Sequence, residues 1–410
     1  MSSARRIRIC LKDLYHADVV EMIERETKKY ELWSIEDPNH PDFERAFQLL
    51  WDCFGEAGEM EPIDAIRNFL AEDPFDPSPS GTYFKYFMFV AKDAEGNLRG
   101  VRDGTILINP SYDPDLCLVY LSHIYMLPEA RGTVLSYWLR IAPLEVAFQF
   151  IVDLAAKGLL KLPQPEAPGK FFGMTVDLAA EMEFYTPEER ISWQRIMFYG
   201  RGGFDVINPR HFPYQQPDFR PADVIHKTGN RPVPFMLLLR RIGRERQATL
   251  PLEEARAVMR LLYDDFQTFC SKSQLEISLD RVLKRLDDRE AAGKDFVELI
   301  PLPTGAQNLH RLKRLFRYNA YLKYYPDAPE TRAYLDGGIR EQLKARPRYL
   351  DEEIAKIGAE LDARESWVYG NRDKGFSWDG VPLPPDVDAA VDGDADVVLD
   401  PRADPRATRS

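Results

Sequence analysis

The passage from Cys117 to Leu127 constrains this chain most: an almost uninterrupted apolar run that stops at Pro128-Glu-Ala-Arg-Gly132 and then changes period. A run of that length with no polar alternation reads as a strand buried on both faces. From Thr133 to about Gly158 the spacing is helical, with Pro143 expected to kink the helix after its first turns. A buried strand that hands directly into a helix belongs to an α/β sheet. The junction also constrains function. First-turn N–H groups have no intrahelical acceptor, and the aligned peptide dipoles add partial positive charge, so phosphate or pyrophosphate can be held there. Arg131 and Gly132 add a cation and a turn without a β-carbon.

The flanking periods complete a mixed α/β pattern. An amphipathic arm (Leu14, Val19, Val20, Met22, Ile23) precedes a strand at Tyr30 to Ile35. Phe43, Ala46, Phe47, Leu50 and Phe54 then recur at helical spacing, and a shorter helix runs from Pro62 to about Leu70. A hairpin follows, Phe84 to Val90 and Leu98 to Asn109, turning at Gly96. After the junction come a loop at Leu162 to Gly169, a strand at Phe171 to Leu178 and a helix from about Pro187 to Tyr199. Gly200-Arg-Gly-Gly203 reads as that helix's C-cap, with strands at Phe204 to Asn208 and Val233 to Leu239 beyond it.

From about Arg244 the chain turns to charged helices. One carries the stripe Leu252, Ala255, Met259, Leu262, Phe266 and Phe269, another Leu279, Val282, Leu283 and Leu286, with an edge strand expected at Phe296 to Leu302. These stripes need a partner surface, either the preceding sheet or a second subunit in a homodimer. The expected organisation is an N-terminal helical arm over 1–29, an α/β domain over 30–245, a helical extension over 246–378 and a disordered acidic tail over 379–410, where Asp, Pro and Ala dominate.

Charge and cysteine usage narrow the partners. With 66 Asp and Glu against 54 Lys and Arg, the net charge of −12 repels phosphate backbones and anionic lipid. Small-molecule or protein partners are expected, with no nucleic acid and no membrane. No apolar run is long enough to cross a bilayer, and four scattered cysteines read as reduced core residues of a cytoplasmic protein. The six histidines lack metal-ligand spacing, so no metal is expected, and there is no Gly-x-Ser-x-Gly elbow.

Two motifs now carry a resemblance. Ile124-Tyr125-Met126-Leu127-Pro128-Glu129-Ala130-Arg131-Gly132 resembles the pyrophosphate-binding motif of the GNAT superfamily of acyl-CoA N-acyltransferases, although Val134 and Ser136 stand where that family usually has glycine or alanine. Met197-Phe198-Tyr199-Gly200-Arg201-Gly202-Gly203-Phe204 resembles its helix-ending aromatic-Tyr-x-x-x-Gly-Phe. The resemblance spans about Tyr30 to Arg240. It implies a mixed, mostly antiparallel sheet flanked by helices, with acetyl-CoA or another acyl-CoA as co-substrate. The residues it places at the acyl-CoA are Tyr125, Met126, Leu127, Arg131, Gly132, Thr133, Val134, Leu135, Ser136 and, at the family's common asparagine, Ser192.

The implied reaction is direct attack of an amine, on a small molecule or a protein, at the thioester carbonyl. The acyl group lies between two strands that splay apart, here Cys117–Leu127 and Phe171–Leu178. Tyr199 is the candidate acid for the departing thiolate; the other reading is a packed helix-end aromatic. Alternation along the first strand puts Tyr120, Ser122 and Ile124 on one face and His123 and Tyr125 on the other. Serine cannot accept the proton, and His123 faces away from the acyl group as a core histidine would. Glu181 and Glu183 are the candidate bases, against a solvated-loop reading. Two alternatives stay open: a binding or regulatory protein that keeps only the sheet, and an acyltransferase using a longer acyl donor or an acyl carrier protein.

Overall fold

The structure is a computed structural model that describes residues 27–302 apart from 56–58, 132, 134, 163–169, 172, 186–189, 221, 231 and 246, together with 4–6, 20, 21, 24 and 25. The remainder of the extension beyond Leu302 and the tail lie outside the described residues. In chain order the strands are β1 (Ala4–Arg6), β2 (Tyr30–Ile35), β3 (Tyr83–Asp93), β4 (Leu98–Ile108), β5 (Leu116–Tyr120), β6 (Ile124–Met126), β7 (Lys170–Phe171), β8 (Met174–Met182), β9 (Asp205–Ile207), β10 (Gln215–Gln216), β11 (Val233–Pro234), β12 (Met236–Arg241), β13 (Thr249–Pro251) and β14 (Phe296–Pro301). The helices are α1 (Phe43–Phe54), α2 (Ile63–Ala71), α3 (Leu135–Ala156), α4 (Arg190–Arg201), α5 (Ala222–Thr228), α6 (Leu252–Phe266) and α7 (Lys272–Ala291).

The main sheet has the order β1-β2-β3-β4-β5-β8-β12-β9-β14-β13, with β6 on β4 and β7 on β8. Every pairing is antiparallel except β5 with β8. This is the expected mixed, mostly antiparallel sheet flanked by helices, with further helices C-terminal to it. The sheet continues into the C-terminal region, because β14 pairs with β9 at Leu299↔Ile207.

Helices cover both faces, for the reason that the strands are apolar on both. Helix α3 is buried nearly all round and runs through Pro143 without a break. It shares a core with Phe87, Phe89, Ile106, Val119 and Leu178, to which Ile196 and Met197 of α4 contribute. On the opposite face two covers sit side by side. Helices α1 and α2 pack on Met88, Val90 and Val101. Helix α6 packs on Leu107, Leu118, Ala179 and Leu239 through the stripe seen in the sequence. Ion pairs fasten its N-terminus: Arg244 joins the wholly buried Asp177 of β8 at 2.6 Å to Glu254 at 2.8 Å. Among the described residues no helix is long and apolar enough to cross a membrane.

Candidate functional site

The parallel pair opens partway along. β5 and β8 stay in register from Leu116↔Thr175 to Tyr120↔Ala179, and the Leu121 N–H still donates to the Ala179 carbonyl at 2.9 Å. Beyond that point β6 follows β4, with Arg102↔Ile124, while β8 follows β12 to Met236↔Met182. The single strand expected from Cys117 to Leu127 is therefore two, and the cause is a bulge. Between Thr105↔Tyr120 and Arg102↔Ile124, two residues of β4 face three, Leu121, Ser122 and His123. An extra residue bends its strand and inverts alternation. Gly104 permits the close approach: a β-carbon there would lie 2.1 Å from the Tyr120 carbonyl oxygen and 2.7 Å from Phe87 Cζ.

The inversion corrects the face assignment made from alternation. Tyr120 packs on the α6 side and Ile124 on the α3 side, so they do not share a face. His123 lies with Tyr120, against α1. Its N–H and Nδ1 meet Asp103 Oδ1 at 2.8 and 3.0 Å, and Nε2 meets the Glu59 carbonyl at 2.8 Å. Burial lowers the imidazole pKa, but the Asp103 carboxylate more than offsets it, and the value stands at about 9.

The seam between the α1–α2 cover and α6 is polar and acidic. Glu181 lies inside β8, in the part that has lost its β5 partner. Its carboxylate accepts from Tyr120 Oη at 3.0 Å, from Gln216 Nε2 at 2.9 Å and from Tyr214 Oη. Burial raises this carboxyl to about 7 against those donors, which favour the charged form. Burial also pushes up Glu61 and, well above the ordinary range, Asp265, to which Thr105 hydrogen-bonds. Glu183, two residues further on, turns away and pairs with Arg195 of α4 at 3.2 Å. The two candidate bases are thus separated, and only Glu181 stands at the opening.

On the α3–α4 face, Tyr199 ends α4. Gly203 at φ 82° closes the helix, with Phe204 N–H donating to the Tyr199 carbonyl and Gly203 N–H to that of Gly200. The half-buried ring packs edge-on against Phe198 and Phe204. Burial raises its phenol, while Arg102 and Arg140 act to lower it. Arg140 of α3 is pinned: Nε donates to the Ser136 carbonyl at 3.3 Å, Nη1 to that of Phe198 at 3.0 Å, and the guanidinium lies 3.7 Å from the Phe198 ring centre. Gly202 makes room for it, since a β-carbon would lie 2.3 Å from Arg140 Nη1.

The loop between β6 and α3 is held by its own groups. Leu127 N–H donates to the Arg99 carbonyl, Arg131 Nε to that of Met126 at 2.9 Å, and the Arg131 guanidinium lies 5.5 Å from the Tyr125 ring centre. The Thr133 hydroxyl donates to the Ala130 carbonyl at 2.7 Å and accepts from Leu135 N–H at 3.3 Å, and Ser136 Oγ reaches the Thr133 carbonyl at 3.5 Å. Met126 packs on the α3-side core. Gly132, Val134 and the side chain of Ser192 lie outside the described residues. A 22-residue helix thus follows the diverging strand after the loop over 127–134, an arrangement that suits an anionic nucleotide, although Thr133 takes one of its first N–H groups. No group of three or more His, Cys, Asp or Glu that could hold a metal ion occurs among the described residues.

Arg102, Glu61, Asp265 and Tyr214 were not picked out in the sequence. The adjacent charges Arg102-Asp103, midway along a strand and directly after Val101, are the signal that points to two of the site's charged groups.

No family model matches the chain, and no curated protein matches it. Among solved structures it is similar to a protein described as a candidate phosphinothricin N-acetyltransferase, with 17% identity, covering 50% of this chain and 94% of that one, at a TM-score of 0.28.

Proposed function

We propose that this protein is an acyl-CoA-dependent N-acyltransferase in which the thioester and the acceptor amine meet at the opening between β5 and β8 from opposite faces of the sheet. The observation that carries this reading is Glu181, a carboxyl raised to about 7 where the strands part, bonded to Tyr120 across the gap. A group of that pKa is half ionised near neutrality and can take a proton from an attacking amine. Glu61 and Asp265 on the same face are pushed toward their neutral forms by burial, and Asp103 is paired with His123, so the seam offers an amine polar groups with little net charge.

The co-substrate supplies an acyl group on a thioester, acetyl or longer. The N-terminus of α3 with Arg131, Thr133 and Ser136 would hold its pyrophosphate. As the C–N bond forms and the C–S bond breaks, Glu181 accepts the amine proton and Tyr199 gives its phenolic proton to the departing sulfur. Arg102 and Arg140 nearby favour the phenolate that results. Calorimetry with CoA and acetyl-CoA tests the reading directly: absence of binding at high ligand concentration favours the alternative of a binding or regulatory protein, for which Thr133 occupying a loop N–H is the supporting feature. If CoA binds, Tyr199→Phe is expected to slow thiol release by about 10- to 10⁴-fold with little change in affinity.

A further inference from the structure

Arg102 is a buried cation on the α3 face of the sheet. It projects from the middle of β4 and is 1% exposed, yet its Nε and Nη1 have no hydrogen-bond partner. A buried guanidinium normally finds an acceptor, because leaving it bare forfeits its hydration without return. The neighbouring carboxylates do not serve. Asp103, next in the chain, points to the opposite face and is engaged by His123 and Tyr86. Glu183 pairs with Arg195. On its own face Arg102 lies within electrostatic reach of the Tyr199 phenol and of Arg140, itself a cation, whose buried Nη2 also lacks a partner. Among the described residues, these two guanidinium groups thus share one face with no carboxylate paired to either.

Their place says what fills the gap. Arg102 is the cross-strand neighbour of Ile124, the first residue of β6 beyond the opening, and cross-strand neighbours share a face. Ile124 and Tyr199 pack on the same core, so Arg102 lies on the thioester side. The pyrophosphate is assigned its own place at the N-terminus of α3, and the Glu181 seam lies across the sheet from Arg102. We propose that the acyl donor carries a carboxylate at the far end of its acyl group and that Arg102, supported by Arg140, binds it, so that the substrate is the monothioester of a dicarboxylic acid. A guanidinium offers two parallel N–H donors that match the two oxygens of such a group. The proposal rests on the acyltransferase reading above.

The test is calorimetry on the full chain with CoA, butyryl-CoA and succinyl-CoA, the last two sharing a four-carbon acyl group and differing in the terminal carboxylate. Succinyl-CoA is expected to bind about 10- to 100-fold more tightly than butyryl-CoA, the size of a hydrogen bond to a buried charge. Arg102→Met is expected to abolish that preference while leaving affinity for CoA unchanged. Should Arg102→Met not fold, the wild-type comparison stands alone. Equal binding of the two thioesters, or a preference for butyryl-CoA, overturns the proposal and leaves the acyltransferase reading intact. Failure of all three to bind overturns that reading, and this one with it.

Discussion

The Tyr120 hydroxyl donates to Glu181 Oε2 at 3.0 Å across the last turn of the parallel pair, linking the two strands at the place where they part. Burial and the carboxylate hold this phenol well above its usual pKa, so it remains a donor throughout the accessible range. A donated hydrogen bond favours the charged carboxylate. Tyr120→Phe should therefore move the apparent pKa of the rate from about 7 to higher pH, by roughly one unit. A pH–rate profile measures this, and an unmoved profile would separate Tyr120 from the titrating group.

Glu181→Gln should lower the rate by about 10²- to 10⁴-fold, as loss of a general base does. It should also change stability in a defined direction. The carboxyl rises from 4.5 to about 7 on folding, so the native state binds the extra proton and gains stability below pH 4.5 that is lost as pH rises to 7. Relative to wild type, the glutamine variant should gain about 3 kcal/mol between those limits, measured by urea unfolding across pH.

His123 works in a different window. Its folded pKa of about 9 exceeds the ordinary 6.5, so its contribution is complete below pH 6.5 and disappears as pH passes 9. Wild type should lose about 3 kcal/mol over that range through this group. His123→Asn should be less stable at pH 6 and should lack this part of the decline, which paired urea curves at pH 6 and 9.5 would show.

Arg244 holds α6 to the sheet through Asp177 and Glu254. Arg244→Met should cost about 3–5 kcal/mol, because Asp177 is wholly buried and would be left without its counter-charge. Adding Asp177→Asn should restore part of that loss. A double-mutant cycle by thermal or chemical unfolding isolates the coupling, and strictly additive costs would count against the pair.

Much of the fold can be read from period alone. The helices at Phe43–Phe54 and Leu252–Phe266 and the hairpin around Gly96 form where their apolar spacing places them. The strand at Phe296–Pro301 also forms, but not as the expected edge: it lies between β9 and β13, and β13 is the edge, because the short Thr249–Pro251 segment adds on outside it. The bulge at Leu121–His123 is different. Nothing local distinguishes Leu121-Ser-His123 from the rest of an apolar strand, and the extra residue appears only when β4 supplies the count opposite it. Helix α5 and the short β10–β11 pair were not foreseen for a related reason: they are too brief to establish a period.

For the site, the sequence by itself determined the junction of a buried strand with a helix, the aromatic end of α4 and two carboxylates near the end of the second strand, whereas the structure extends that strand to Met182 and takes Glu181 into it. Those follow from residue type and spacing, which act over a few neighbours. Only the tertiary structure decided that Glu181 and not Glu183 reaches the opening, that Tyr120 and Ile124 lie on opposite faces, and that Arg102 is sealed away from any acceptor. Each depends on which strand lies beside which and on how much water remains there, and burial and pairing energies arise between segments far apart in the chain.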